Sequence, residues 1–271
     1  MKKLINSGLP ISYNEETARL SFYEGLTCAG DGRRNAAALK GLLYNDEGDI
    51  DNEHCYDFYR DIVFEEHREL FKKYDFRYDI TVIMPGTVNG ECKKTSGHYH
   101  GYIDGQGFTY PEVYEVLSGE AVYILQKVHN FEIENEEPVI EAIKAVRVKA
   151  GQAIIIPPFW GHCSVNAGEG PLIFSNIAVV SCPMHYEPIK QKHGLGAYVL
   201  KENGQIKFVK NPYYVNMPEI KEIEPAQNPA MGITFGKSVY WEFIHAPEKF
   251  DFLLHPEAFI DAMEAMTIIE K

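Results

Sequence analysis

Long apolar runs are missing from this chain. No stretch of its 271 residues approaches the ~20 apolar residues of a membrane-spanning helix. The opening MKKLINSGLPISYNEE has two lysines but lacks the apolar centre of a secretory signal, so no membrane partner is expected and the expected location is the cytoplasm. Cysteine is sparse: five residues, at 28, 55, 92, 163 and 182, with no Cys-x-x-Cys pair, which fits reduced thiols better than a disulfide frame. Basic residues are outnumbered, 26 Lys and Arg against 39 Asp and Glu. The net charge of −13 repels nucleic-acid backbones, so nucleic acid is not an expected partner. A phosphorylated ligand would have to be gripped locally, against the sign of the whole surface. Repeats and low-complexity tracts are absent too. What remains is an ordinary globular composition, 45% hydrophobic and 13% aromatic, in a chain long enough to bury a core without disulfide or metal staples.

Three textures follow one another. From Cys55 to Tyr74 the spacing of Phe58, Ile62, Val63, Leu70 and Phe71, with acids early and lysines late, predicts a helix. Residues 1–75 are therefore read as a helical or extended arm. Between Asp79 and about Val180 the chain becomes short β segments, DITVIMP, EVYEVL, EAVYILQ, IEAIKAVRV, QAIIIP and PLIFSNIAVV, rich in β-branched and aromatic residues. Residues 76–187 are thus expected to form an all-β core, a sandwich or barrel. Ser118-Gly119 reads as a tight hairpin between two of these strands, and AYVLKENGQIKFVK as a second hairpin. Residues 188–271 are expected to add strands and helices packed on the core: VYWEFIH as a last strand, Pro256 in the first turn of a final helix, and an apolar stripe from Phe252 to Ile269 as core or dimer contact.

The chemistry concentrates in two blocks. In Gly97-His98-Tyr99-His100, followed after eleven intervening residues by Glu112-Val113-Tyr114, residues two apart on a strand share one face, so two imidazoles project side by side. The second block, Gly151 to Asn166, runs through Pro157-Pro158-Phe159-Trp160-Gly161-His162 and delivers another imidazole from a different strand. Imidazoles set side by side on a rigid β surface, with a third from another strand, are the arrangement a transition metal such as Fe2+, Mn2+, Ni2+, Cu2+ or Zn2+ needs. Lys93 and Lys94 are read as solvent-facing. The other histidines lack paired spacing and are read as structural or surface groups.

Together the blocks resemble the two cupin motifs, with Phe159 where a glycine is often seen and a long insertion between His100 and Glu112. A closer resemblance, over roughly residues 75–187, is to the cupin-type (archaeal-type) glucose-6-phosphate isomerases. It is carried by Thr81-Val-Ile-Met-Pro85-Gly86, Lys94-Thr95-Ser96-Gly97-His98-Tyr99-His100, Pro111-Glu112-Val113-Tyr114 through Leu-Ser-Gly119, and Pro157 to His162 with Val165-Asn166. The resemblance implies a cupin β-barrel (double-stranded β-helix, or jelly roll) with flanking N- and C-terminal helices. It implies one divalent transition metal per chain, Fe2+ foremost and Mn2+, Ni2+ or Zn2+ as alternatives, held by His98, His100, Glu112 and His162. It also implies a hexose 6-phosphate held by Thr81, Thr95, Ser96, Gly97 and Tyr186, catalysis by Glu112 and Tyr114, and a homodimer. The expected reaction interconverts glucose 6-phosphate and fructose 6-phosphate, with mannose 6-phosphate a further substrate. The same ligand set also serves cupin dioxygenases and decarboxylases, and a non-catalytic sugar-phosphate-binding cupin would carry it too.

Overall fold

The computed structural model of the chain describes residues 1–133 and 136–267; the final two isoleucines of the expected C-terminal stripe, Ile268 and Ile269, lie outside the described residues. The N-terminal part contributes β1 (Lys2–Lys3), β2 (Ile11–Tyr13), β3 (Leu20–Phe22), β4 (Leu26–Asn35), β5 (His54–Phe64) and α1 (Arg68–Lys73). The middle carries β6 (Phe76–Ile83), β7 (Thr87–Val88), β8 (Glu91–Cys92), β9 (Tyr99–His100), β10 (Glu112–Ser118), β11 (Glu120–Lys127), β12 (Ala142–Lys149), β13 (Ala153–Ile156), β14 (Trp160–Asn166), β15 (Leu172–Val179) and β16 (Met184–His185). After α2 (Glu187–Gln191) come β17 (Ala197–Glu202), β18 (Gln205–Lys210), β19 (Ile220–Ile223), α3 (Val239–His245) and α4 (Ile260–Ala265).

Two sheets make the barrel. One runs in the order β13-β10-β15-β6-β5-β4 and the other in the order β14-β11-β12-β19. Between them Tyr114, Val116, Tyr123, Ile154, Val165 and Phe174 form one buried cluster, while the outer face of the six-stranded sheet is covered by a second. That second cluster includes Tyr240, Phe243, Phe250 and Phe252 from the C-terminal part. Being buried on both faces, β15 reads as the nearly unbroken apolar run LIFSNIAV rather than as an alternating strand. The barrel is the cupin arrangement, and sheet pairs cross both 75/76, through β5 and β6, and 187/188, through β8 and β17.

The structure corrects the N-terminal helices. Residues 54–64 are strand, paired with β4 along most of their length and with β6 at 56–59; only 68–73 are α-helical. The helical spacing came from a break in the strand's alternation: Asp61 adopts φ 52°, so that Phe58, packed on the inner cluster, and Ile62, buried in the outer one, are four apart yet lie on opposite faces. VYWEFIH is likewise a helix, α3, with Val239, Tyr240 and Phe243 buried, a helical and not a two-residue spacing. Ser118-Gly119 makes no hairpin: β10 pairs with β13 and β15, β11 with β12 and β14. Gly119, at φ 87°, carries the chain from one sheet to the other, and a Cβ there would lie 2.9 Å from the Pro171 carbonyl oxygen. The hairpin at Asn203-Gly204 is present, with φ 51° and 78°, the signs a type I′ turn requires. Pro256 opens a 3-10 turn just before α4.

On the outer face of β10, Glu115 is 2% exposed and accepts a hydrogen bond from the Val239 amide at 3.1 Å. Burial pushes its carboxyl up to about 8 from 4.5, against the opposing bonds from Val239 and Ser175. The folded chain therefore holds this proton more tightly than the unfolded one. The resulting stabilisation is full below pH 4.5 and is lost as pH rises through about 8. Glu115→Gln keeps an acceptor for Val239 and removes the titration. Between about pH 5 and 9 it is expected to gain roughly 4 kcal/mol relative to the unsubstituted protein, read from denaturant unfolding at both pH values; identical pH dependence in the two proteins would contradict this.

Candidate metal centre

The first metal motif sits where the chain crosses from the β8 region into β9. Gly97 has φ 78°, and a Cβ there would press on the Cys163 Cβ and the His162 carbonyl oxygen, both 3.2 Å away. A glycine lets this backbone lie flush against β14, where the His98 and His162 main chains exchange two hydrogen bonds of 3.1 and 3.0 Å. Two ligands are thereby fixed to each other by backbone. The insertion of residues 101–111 folds on itself through a Tyr102–Thr109 bridge and returns to start β10 at Glu112. It is also tied to the second motif, because the Phe159 amide donates to the Thr109 hydroxyl at 2.7 Å. Phe159, standing where a glycine is often seen, adopts φ 71°, a conformation that costs a non-glycine residue about 1–2 kcal/mol.

Ligand atoms of His98, His100, Glu112 and His162 all lie within 4.8 Å of one another. The Nε2 atoms of His98 and His100 are 3.1 Å apart, and Oε2 of Glu112 is 3.2 Å from His162 Nε2 and 3.3 Å from His100 Nε2. The far nitrogens decide the tautomers: His100 Nδ1 donates to the Tyr110 carbonyl at 2.8 Å and His162 Nδ1 to the Trp160 carbonyl at 3.2 Å. Neutral rings anchored in that way turn their Nε2 lone pairs inward. Inward lone pairs facing a carboxylate oxygen are an all-acceptor cluster, which a divalent cation satisfies; the residues fit a metal. Trp160, whose carbonyl aligns His162, is itself held by the C-terminal part, its indole donating to Glu264 at 2.9 Å under the Lys144 ammonium.

The electrostatics agree. Burial, then the fields of His162 and His100, hold the His98 imidazole well below its ordinary pKa, so it stays neutral at pH 7. Without a cation, burial alone would raise the Glu112 carboxyl, but hydrogen bonds and positive charge from His100 and His162 outweigh it and hold it well below the usual carboxylate range; a bound cation would take over that role and leave both Nε2 lone pairs to it. Its other oxygen, Oε1, accepts from Asn176 Nδ2 at 2.8 Å. Asn176 is a site residue that sequence reasoning missed; the only hint was a polar residue inside the apolar run of β15.

Tyr114 is brought in as well, its hydroxyl 3.2 Å from His162 Nε2, and burial pushes that phenol well above 10. Tyr186 is half exposed and its ring lies 5.4 Å from that of His98. Thr81 is buried on β6, opposite Phe58 and Phe174. Thr95 pairs with Ser164, its hydroxyl accepting the Ser164 amide at 3.0 Å, and Ser96 faces the Tyr56 hydroxyl. The lysines correct the expectation: Lys93 and Lys94 are 7% and 4% exposed and are bound to Glu53 and Glu91.

Comparison with known proteins points the same way as this geometry. A family model described as glucose-6-phosphate isomerase (GPI) matches residues 33–216. Glucose-6-phosphate isomerase of Pyrococcus furiosus is 33% identical over 141 residues, 52% of this chain and 66% of that protein. A putative glucose-6-phosphate isomerase 1 of Rhizobium meliloti is 28% identical over 154 residues, covering 56% and 64%. The match therefore spans about two-thirds of these relatives' length. Among solved structures, hazelnut vicilin overlaps with a TM-score of 0.34 at 10% identity, over 53% of this chain and 34% of that one. The motifs, the barrel that joins them and the matched segment lead to one conclusion: this chain belongs to the glucose-6-phosphate isomerase family.

Proposed function

We propose that the chain is a metal-dependent aldose–ketose isomerase that interconverts glucose 6-phosphate and fructose 6-phosphate. The observation that carries this reading is the convergence of ligand atoms from three imidazoles and one carboxylate to within 4.8 Å of one another. His98, His100, Glu112 and His162 would hold one divalent transition metal; their borderline donor set admits Fe2+, Mn2+, Ni2+ or Zn2+, and the family resemblance puts Fe2+ first. A bound cation would supply Lewis acidity there, polarising the carbonyl and neighbouring hydroxyl oxygens at C1 and C2 of the open-chain sugar.

The reaction moves a hydrogen between C2 and C1. Glu112 has two oxygens with different duties: Oε2 faces the imidazoles, whereas Oε1 faces the Asn176 amide, so Oε1 is the oxygen that takes the proton from one carbon and returns it to the other. A carboxylate held ionised is a weak base, and it works here only against a C–H already acidified by the polarised carbonyl. Tyr114, protonated at any physiological pH, donates a hydrogen bond toward the sugar oxygens. Thr81, Thr95, the Ser96–Gly97 segment and Tyr186 are the proposed contacts of the rest of the substrate.

Among the described residues no helix is long and apolar enough to cross a membrane, and the five cysteines are unpaired, which supports a reducing compartment such as the cytoplasm. The test is a coupled assay of purified protein with glucose 6-phosphate and mannose 6-phosphate, run beside an oxygen electrode. Formation of fructose 6-phosphate without oxygen uptake is the expected result. Oxygen consumption without isomerisation would overturn it in favour of an oxygenase.

A further inference from the structure

A chain of net charge −13 that binds a sugar phosphate needs local positive charge, and the obvious candidates are spent. Lys93 and Lys94 are bound to carboxylates, and Thr81, Thr95, Ser96 and Gly97 are neutral. A surface cavity of about 740 Å³ is walled by Glu132, Glu136, Glu137 and Glu187 among its described residues, and its one lysine, Lys192, is tied to Glu137, so its balance is the wrong sign for a phosphate.

We propose that Arg34 and Arg60, stacked on Phe58 at the rim of the barrel, supply the positive charge that seats the phosphate group of the substrate. This inference deepens the isomerase reading and rests on it. Strand register sets the geometry. Arg34 is opposite Tyr56 and Phe58 is opposite Thr81, so Arg34, Tyr56, Phe58, Arg60 and Thr81 share the inward face of the six-stranded sheet. Phe58 lies flat across β4 because Gly32 is its partner there; a Cβ on Gly32 would sit 2.5 Å from the ring. Each guanidinium carbon is 4.9 Å from the Phe58 centroid, so the two charges are no more than twice that distance apart.

The arginines differ in their ties. Arg60 gives one N–H to Asp79 at 2.8 Å, a carboxylate fully buried and also bound by Arg77, which fixes Arg60 in place and leaves its other donors without a hydrogen-bond partner among the described residues. Arg34 is exposed and reaches only the Arg33 carbonyl at 3.2 Å; among the described residues no carboxylate is within ion-pair distance of it. Two like charges held on one ring repel, and a dianion between them turns that repulsion into charge-assisted hydrogen bonds of the kind arginine makes with phosphate. Tyr186 links this platform to the metal group: its ring is 5.4 Å from His98, and its hydroxyl lies in the fields of Tyr56, Arg60, Glu112 and Arg34. The phosphate of a hexose 6-phosphate lies at the opposite end of the sugar from C1 and C2, so a phosphate seat has to stand apart from the metal ligands yet on the same side of the barrel, and Tyr186 joins the two groups.

Arg34→Gln is the primary test, because Arg34 is exposed and holds no carboxylate. It is expected to raise KM for glucose 6-phosphate about 10-fold or more with kcat within about twofold, and to raise the inhibition constant of inorganic phosphate in parallel. Arg34→Lys should recover part of both, since charge returns without the planar fork. Arg33→Gln, which breaks the Asp57 pair on the opposite face, should leave KM within about twofold. An Arg34→Gln enzyme with unchanged KM and unchanged phosphate inhibition overturns the proposal. Calorimetric binding of sorbitol 6-phosphate, weakened by Arg34→Gln, separates it from the isomerase reading: retained arginine-dependent binding without turnover would defeat the reaction but not the phosphate seat, and binding indifferent to Arg34 would defeat the seat alone.

Discussion

Replacing His162 with alanine is expected to strip the metal and to lower kcat/KM by at least about 10²–10³-fold. His162 is the ligand with the most structural commitments. Its backbone pairs with His98 on one side, its Nδ1 is fixed by the Trp160 carbonyl, and its Nε2 faces both Glu112 Oε2 and the Tyr114 hydroxyl. Alanine keeps the backbone pairing, so the barrel should still fold, but it removes the ligand delivered by the second sheet. What is left, His98, His100 and Glu112, comes from the first motif alone. Metal analysis and activity measured on the same sample check the point: loss of both is expected, and full metal content with full rate would show that His162 is only a core residue. Acidification should mimic the substitution, because neutral imidazole binds metal and imidazolium does not. Since burial holds His98 well below its ordinary pKa, this ligand should resist protonation until pH falls clearly below the usual histidine range.

Glu112→Gln is the second large effect, about 10²–10⁴-fold in kcat. The substitution is nearly isosteric, and its amide oxygen can still face the cation. The account divides the carboxylate between two tasks, Oε2 for the metal and Oε1 for the proton, and glutamine can replace only the first. Raising the metal concentration until the site is filled is therefore expected to leave the rate low. Recovery of the rate on filling would show that the carboxylate only holds the cation, and that hydrogen moves directly between the carbons.

The metal ligands were legible because strand periodicity is local: His98 and His100 share a face by being two apart, and so do Glu112 and Tyr114. The second motif was legible as a short apolar strand, followed after Pro157-Pro158 by His162 at the start of the next strand. What was not legible depends on register between strands far apart in sequence. Asn176 matters because β15 lies beside β10, and Arg34 because β4 lies beside β5 with Gly32 under Phe58; no spacing within one segment announces either. Local pattern also misled where a tertiary feature imitated another period. The break at Asp61 made a strand look helical, and the aromatic residues of VYWEFIH suggested a strand in a segment whose buried face is helical. The positive φ expected of Gly119 is present, but that conformation does not say whether the chain returns to its own sheet, as the expected hairpin would, or crosses to the facing one. Lys93 and Lys94 looked solvent-facing because their partners, Glu53 and Glu91, are brought in by the fold.

The most direct test of the central claim is a reconstitution titration: the chain is stripped with chelator, divalent cations are added back one kind at a time, and glucose 6-phosphate turnover is followed against metal bound. The account predicts no turnover in the stripped protein and recovery that reaches its plateau at one cation per chain, lost again in His162→Ala. Undiminished isomerisation by metal-free protein would contradict it.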